Sequence, residues 1–598
     1  MNGIVLMLVA AVVLVCGYLF YGRWLANKWG VDANALTPAR RMEDGQSFSP
    51  ASAFTVFSHQ FSSICGAGPV TGTIVAMAFG WLPVVLWVLV GGIFFGAVHD
   101  FGALYASMKN NGKSLAQLIE KYIGKTGRRL FLLFSWLFCI IVIAAFTSMV
   151  CGTFKFTPAA DGSVDVAKSY AAGCAGTISI LFTFVAIAFG WAQRKFNLKG
   201  AVEFVVACVA IVVMFAVGMQ FPLYLDLNQW IAVVMVYLVF AGAMPIQTLK
   251  QPRDYLTTIM MVVMIVCAVL GIFVLGVQGK ATITAPMFTG FSTKSGMMFP
   301  VLFVSVACGA LSGFHSLVSS STSSKQVSNE TDAVKVGYGA MVLESFVGIL
   351  AIIIAGIMFS DMNTAGTGAL NNGAASTPFQ IFAAGISRGM QAFGVDGTVA
   401  TVFMTMNVSA LALTSLDAVA RIARTSFSEF FAKSNDALAI EDRSGAMKVL
   451  GNPWFATLVT LVPGLALTFG GYLAIWPLFG ASNQLLGGMT MITLAVFCKC
   501  TGRKGAMLYV PVAFLLVCTF TSLAQSIMGC VTALTAGTAA SVFNSALQLV
   551  FAILLVVLGL IVAVNCLKEF FGKAEGSIPD EEPEWSELGR KNCGVDAK

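Results

Sequence analysis

A chain that repeats runs of about twenty apolar residues from one end to the other is committed to a lipid solvent before any motif is read. Such runs fall at about 4–21, 53–79, 82–107, 130–151, 174–192, 201–220, 229–247, 255–277, 298–321, 337–358, 397–421, 453–472, 475–498, 506–526 and 545–567. Each can cross a bilayer as a helix at ~1.5 Å rise per residue, and the ten-residue alternation of barrel strands is absent. Only 11% of the residues are charged, against roughly 25% in a soluble domain, which excludes a water-soluble fold and disfavours a nucleic-acid partner. The expected class is an all-α polytopic membrane protein of about fifteen spans with the lipid bilayer as its first partner.

Alternate connections carry the basic residues, which accumulate on the cytoplasmic side. Arg23, Lys28, Arg40 and Arg41 open that side, followed by Lys109, Lys113, Lys121, Lys125, Arg128 and Arg129. Arg421, Arg424, Lys433, Arg443 and Lys448, then Lys499, Arg503 and Lys504, continue it, whereas connections such as Phe221–Asn228 carry almost none. The amino terminus is therefore expected outside and the carboxyl terminus inside. The first run lacks a preceding positive charge and a small-x-small cleavage pattern, so it is expected to be retained. Beyond Lys568, Asp580, Glu581, Glu582 and Glu584 around two prolines read as a solvated, flexible tail over 568–598. The cysteines lie mostly singly in spans, and Cys498 with Cys500 is a weak metal signal without a second pair.

Two interruptions stand out. Ser58-His-Gln-Phe-Ser-Ser-Ile-Cys-Gly-Ala-Gly-Pro69 places Gly66, Gly68 and Pro69 in the middle of span two, where non-helical backbone is tolerated only beside a cavity or within protein. Span seven contains Gly242-Ala-Met-Pro245, five spans later. An odd offset implies opposite entry, so spans 2–6 (53–228) and 7–11 (229–424) are read as inverted repeats, between an amino-terminal helix with linker (1–52) and four added helices (425–567). Half-helix ends offer amides to anions and carbonyls to cations, which makes Ser62, Ser63, Gly66, Ala67, Gly68, Pro69, Gly242, Met244 and Pro245 the candidate substrate positions. Close packing through small residues is the bland alternative.

Ionisable residues inside spans default to ion or substrate pathways. All three histidines, His59, His99 and His315, lie in apolar segments, and with Asp100 their similar depth suggests a proton relay or a divalent metal site. Glu344 and Asp417, with the hydroxyl-rich run through Ser319, Ser320 and Thr322, are candidate ion-coupling groups. Asn483 and Gln484 read as structural, outside the repeats. No phosphate-binding loop of the G-x-x-x-x-G-K type occurs, so an ATP-driven pump is disfavoured, and no enzyme or resident cofactor is expected.

The strings SHQFSSICGAGPVTG, GAVHDF, QPRDYL, ACGALSGFHSLVSSSTSSKQ, GYGAMVLES, LTSLDAVARIAR and WPLFGASNQLL, from Ser58 to Leu486, resemble the carbon starvation (CstA) family of bacterial inner-membrane transporters. The resemblance implies a LeuT-like five-plus-five core of the APC superfamily. It also implies a secondary transporter importing short peptides on a proton or sodium gradient, with pyruvate:proton symport as the alternative and a membrane nutrient sensor with a degenerate core as a remoter one. In LeuT-like proteins hydroxyls placed as Ser319, Ser320 and Thr322 are commonly found at a sodium ion. Many family members carry His-His where this chain has His59-Gln60, which puts any role for paired imidazoles there in doubt.

Overall fold

In the computed structural model the apolar runs are helices: α1 (Gly3–Trp29), α2 (Ala53–Ile64), α3 (Gly68–Phe79), α4 (Trp81–Lys109), α5 (Lys125–Phe154), α6 (Val166–Lys195), α7 (Gly200–Gln220), α8 (Leu227–Ala243) and α9 (Lys250–Val277). There follow α10 (Met298–Ser305), α11 (Ala307–Ala310), α12 (Gly313–Ser321), α13 (Val334–Phe359), α14 (Pro378–Ala392), α15 (Gly397–Phe431), α16 (Pro453–Thr468), α17 (Tyr472–Cys500), α18 (Ala506–Thr535) and α19 (Val542–Gly572). The structure describes residues 1–44, 47–159, 161–244, 249–293, 296–364, 377–431, 445–537 and 541–594. Among them 11 helices are long and apolar enough to cross a membrane, and 12 if the bent pair α2–α3 is one span; α8 and α16 are apolar but shorter. The chain is a multi-pass, mostly helical membrane protein.

Helix starts follow local chemistry. Ser52 accepts from the Thr55 amide at the start of α2, and Asp226 with Gln229 closes a capping box on α8. Thr377, Pro378 and Gln380 do the same for α14. That helix lies in a stretch the hydropathy reading treated as a connection, because its apolar residues occupy one face only; Phe379, Ile381, Phe382 and Ile386 are buried against α9, α13 and α15.

Burial sorts the helices into centre and rim. The apolar window of α17 is wholly buried, and α5 and α15, which pack along each other, are nearly so, whereas α7 and much of α1 face outward with exposed Val and Leu. A helix covered all round belongs inside a bundle. Span thirteen, read as peripheral from sequence, is therefore central.

The tail is docked rather than solvated. Gly576 and Ile578 donate to the carbonyls of Lys499 and Cys500, Glu581 to that of Lys109, and Ser586 to that of Arg41. Asp580 takes both Arg503 Nη groups at 2.9 and 2.6 Å, and Glu581 pairs with Lys113. The helix Glu587–Cys593 then packs on Pro38–Arg41, with Gly589 so close that an added Cβ would lie 1.9 Å from the Arg41 carbonyl oxygen. Burial alone disfavours the Arg503 charge, yet its bonds to Asp580 and Tyr105 hold the guanidinium above its ordinary pKa. The acidic composition that reads as solvating is spent on the basic loops of the same face. Truncation after Lys573 is expected to lower the melting temperature of the detergent-purified protein by a few degrees, with Asp580→Lys reproducing most of the drop. Unchanged melting in both variants would show that the strap adds no stability.

Candidate functional site: two interrupted spans and two buried charge clusters

Span two breaks where its sequence is least helical. Cys65 leaves helical geometry at φ −76°, ψ 76°, and α3 restarts at Gly68-Pro69, with proline at a helix start where no amide is missed. The two halves are bent by 45°. The second interruption is in span nine, not span seven. Leu311 and Ser312 are extended between α11 and α12, at φ −162°, ψ 126° and φ −125°, ψ 122°. In span seven, α8 simply ends at Ala243, Met244 is extended, and α9 begins at Lys250; Pro245 lies outside the described residues. Helical geometry therefore leaves off within the Gly242–Met244 stretch, and Gly242 itself packs against Thr457 of α16.

The two interrupted spans run antiparallel with their breaks level. Gly72 faces the Ser305 carbonyl, Gly68 faces Cys308, and Gln60 reaches Ser319 and Ser323, so residue numbers rise along one span as they fall along the other. The amino-terminal ends of α3 and α12 and the carboxyl-terminal ends of α2 and α11 meet there, which concentrates free donors and acceptors at one depth. A small cavity between them is lined by Gly66, Gly68, Ser312, Ser415 and Asn483 with the rings of Phe138, Phe146, Phe314 and Phe479. Ser63 is buried nearby with no hydrogen-bond partner, and Ser62 bonds back to the His59 carbonyl.

Asn483, read as structural, holds the second break open. Its Oδ1 accepts from the Phe314 amide at 3.1 Å, and its Nδ2 donates to Ser312 Oγ at 3.0 Å. Gln484 donates to the Phe303 carbonyl at 2.6 Å. No proline marks this break in the sequence. Its signal is Gly309 and Gly313, four apart; an added Cβ on Gly313 would lie 2.3 Å from the Gly487 amide nitrogen of α17.

The histidines divide between two clusters. His99 Nδ1 and His315 Nδ1 each lie 2.8 Å from a different oxygen of Asp100, and His315 Nε2 faces Glu344 Oε2 at 3.3 Å. All four side chains are buried, on α4, α12 and α13. With both Nδ1–H groups on Asp100, the far side of His315 and the Glu344 carboxyl can hold one proton between them. His59 is elsewhere: its Nδ1 is 3.3 Å from Asp254 on α9, which also takes Lys250 at 3.1 Å. Equal depth had suggested that the three histidines converge, but position around the helix decides contact, and on α2 it is Gln60 that points to α12. Its amide is satisfied at both ends by Ser319 and Ser323, at 2.8 and 2.6 Å.

The metal reading is corrected with it. Among the described residues no group of three or more His, Cys, Asp or Glu side chains is arranged to hold a metal ion, and Asp100 spends both oxygens on imidazoles. The hydroxyls considered for sodium are engaged as well. Ser320 donates to the Ser316 carbonyl and accepts from the Leu115 amide, and Thr322 donates to the Val318 carbonyl.

Asp417 on α15 anchors the other cluster. Arg253, fully buried between the rings of Phe182 and Tyr237, donates to it at 2.9 Å, and the Tyr237 hydroxyl donates at 2.5 Å. Arg421, one turn on, donates to the Met244 carbonyl at 2.6 Å. Arg253 and Arg421 were passed over as loop charges by the sequence reading; the Arg253-Asp254 pair at a span's start was the available signal.

A model of the family described as carbon starvation protein CstA matches residues 2–376 and 363–522. The chain belongs to the CstA family. Relatives of this CstA-family chain include the peptide transporter CstA of Escherichia coli strain K12, 29% identical over 87% of this chain and 80% of that one. The peptide transporter CstA of Bacillus subtilis strain 168 is 30% identical over 86% and 89%. The pyruvate/proton symporter BtsT of Escherichia coli is 32% identical over 59% of this chain and 49% of that one. Among solved structures, MhsT in complex with L-phenylalanine aligns over 86% of the CstA-family chain and 99% of its own at 13% identity and a TM-score of 0.48.

The close approach of the interrupted spans is testable at Gly72, where an added Cβ would lie 2.2 Å from the Ser305 carbonyl oxygen. Backbone cannot move aside as a side chain can, so Gly72→Ala is expected to cost about 1–3 kcal/mol, read as a lower melting temperature. Gly529→Ala, in a helix with open space around it, should be neutral or stabilising. Equal melting of both variants would refute the packing.

Proposed function

We propose that this chain is a secondary active transporter of the bacterial inner membrane that imports short peptides, with the buried His99–Asp100–His315–Glu344 chain as its proton-coupling element. The observation that carries the reading is the level pair of interrupted spans around a cavity, with that chain leaving from the same span, α12, on which one break lies. Helix ends at a break bind polar or charged cargo without hydration, and a proton shared between His315 and Glu344 can be lost to one side and regained from the other. Sodium coupling through Ser319, Ser320 and Thr322 is the competing reading, disfavoured by the bonds those hydroxyls already make.

The same arrangement supports an architecture. Counting α8, α16 and the three-piece run Met298–Ser321 as spans gives fifteen, which places the termini on opposite sides and, by the basic loops, the amino terminus outside. The interruptions are seven spans apart, not five. We therefore read spans 2–6 and 9–13 as the inverted halves, with spans seven and eight inserted between them. The mutual packing of α5 and α15, third in each half, supports this division, and it brings α17 and Asn483 into the core.

Pyruvate:proton symport is the second reading, favoured by the relative of that name and by a small cavity whose lining is mostly apolar, with Ser312, Ser415 and Asn483 as its polar side chains. Proteoliposomes given labelled alanyl-alanine and pyruvate in parallel, with the pH and sodium gradients imposed separately, test both. Uptake of the dipeptide on an inward proton gradient is expected, with Glu344→Gln reducing accumulation at least tenfold while counterflow exchange persists. Pyruvate uptake alone would transfer the assignment to the second reading, and sodium-dependent uptake indifferent to pH would overturn the coupling role of Glu344.

A further inference from the structure

Arg253 and Arg421 are each buried, and each uses only one nitrogen. Arg253 Nη1 is on Asp417 and Arg421 Nη1 is on the Met244 carbonyl, whereas Nε and Nη2 of both have no acceptor among the described residues. Nε and Nη2 are the two nitrogens of the side-on edge of a guanidinium, the fork that takes both oxygens of a carboxylate. The same edge is free on both arginines. Leaving charged donors buried without acceptors is among the costlier arrangements in a protein.

The charge count shows the same gap. Lys250, Arg253 and Arg421 face Asp254 and Asp417, an excess of one positive charge before His59 and the half-buried Arg424 are counted. Asp417 and Arg421 are one turn apart on α15, so both arginines adjoin the same carboxylate. The ring faces of Phe182 and Tyr237 fix the plane of Arg253. A pre-set, positively charged arrangement with donors left over among the described residues is complementary to one planar anion.

We propose that the free forks of Arg253 and Arg421 form a binding site for a small carboxylate, separate from the cavity at the two breaks. The cavity is lined by Ser415 and Val419 on one face of α15, and Asp417 lies on the opposite face. The carboxylate can come from a cargo molecule or from a free acid on the side of the basic loops. The inference rests on the two arginines alone and stands whether or not the transport reading holds.

The test is ligand-dependent melting and calorimetric titration of the purified full-length protein in detergent with sodium pyruvate, alanyl-alanine, alanyl-alanine amide and sodium chloride. Pyruvate, alanyl-alanine or both are expected to bind and raise the melting temperature, the amide and chloride not. Binding by pyruvate alone assigns the site to free acids, and binding by both assigns it to any small carboxylate, the cargo's included. Arg421→Gln is expected to weaken carboxylate binding at least tenfold, with the melting of the unliganded variant read in parallel because its Nη1 bond to the Met244 carbonyl is removed as well. Arg421→Lys keeps the charge but not the fork and should recover only part of the affinity. Equal stabilisation by chloride, no carboxylate effect on the parent protein, or full affinity in Arg421→Gln would overturn the proposal.

Discussion

Backbone that leaves a helix inside a membrane must find hydrogen-bond partners within the protein, since lipid offers none. That constraint organises this molecule. The break at Cys65–Ala67 and the break at Leu311–Ser312 lie against one another, and the Asn483 amide of α17 supplies the bonds that span nine cannot make to itself. Gly68, Gly72 and Gly313 permit the approach, because at each an added Cβ would overlap a neighbouring span. One helix, its apolar window wholly buried, therefore braces both the break and the bundle around it.

The buried charges obey the same economy in two different ways. Around Asp100 two imidazoles take its two oxygens, while His99 Nε2, His315 Nε2 and both oxygens of the facing Glu344 carboxyl have no hydrogen-bond partner among the described residues. Around Asp417 the partners are incomplete, with Nε and Nη2 of Arg253 and Arg421 finding no acceptor among the described residues.

Outside the membrane the acidic tail binds the basic loops that composition assigns to the cytoplasmic face. Through Asp580, Glu581 and Ser586 it ties the ends of α4 and α17 to the linker after α1. Its low hydrophobicity and the acidic run at Asp580, Glu581, Glu582 and Glu584 argue for solvation only if the rest of the surface is ignored.

Much was legible because membrane helices are written in local terms. Run length marked the apolar helices, Gly66–Pro69 marked the first break, and the expense of charge in lipid singled out His99, Asp100, His315 and Glu344. What failed did so where a second helix decides. At Gly242–Met244 the helix leaves off where its composition says it should, with Pro245 outside the described residues, whereas Leu311-Ser312 carries no proline and is bonded by Asn483 from 171 residues away. His59 shares the depth of the other histidines yet meets Asp254, since a single step along a helix turns a side chain by about 100°. The sequence by itself determined a lipid-embedded helical chain, its basic connections and which polar residues fall inside apolar runs, all properties of single segments. Which residues share a site was left to tertiary structure, because the angle each helix presents is set by the neighbours it packs against.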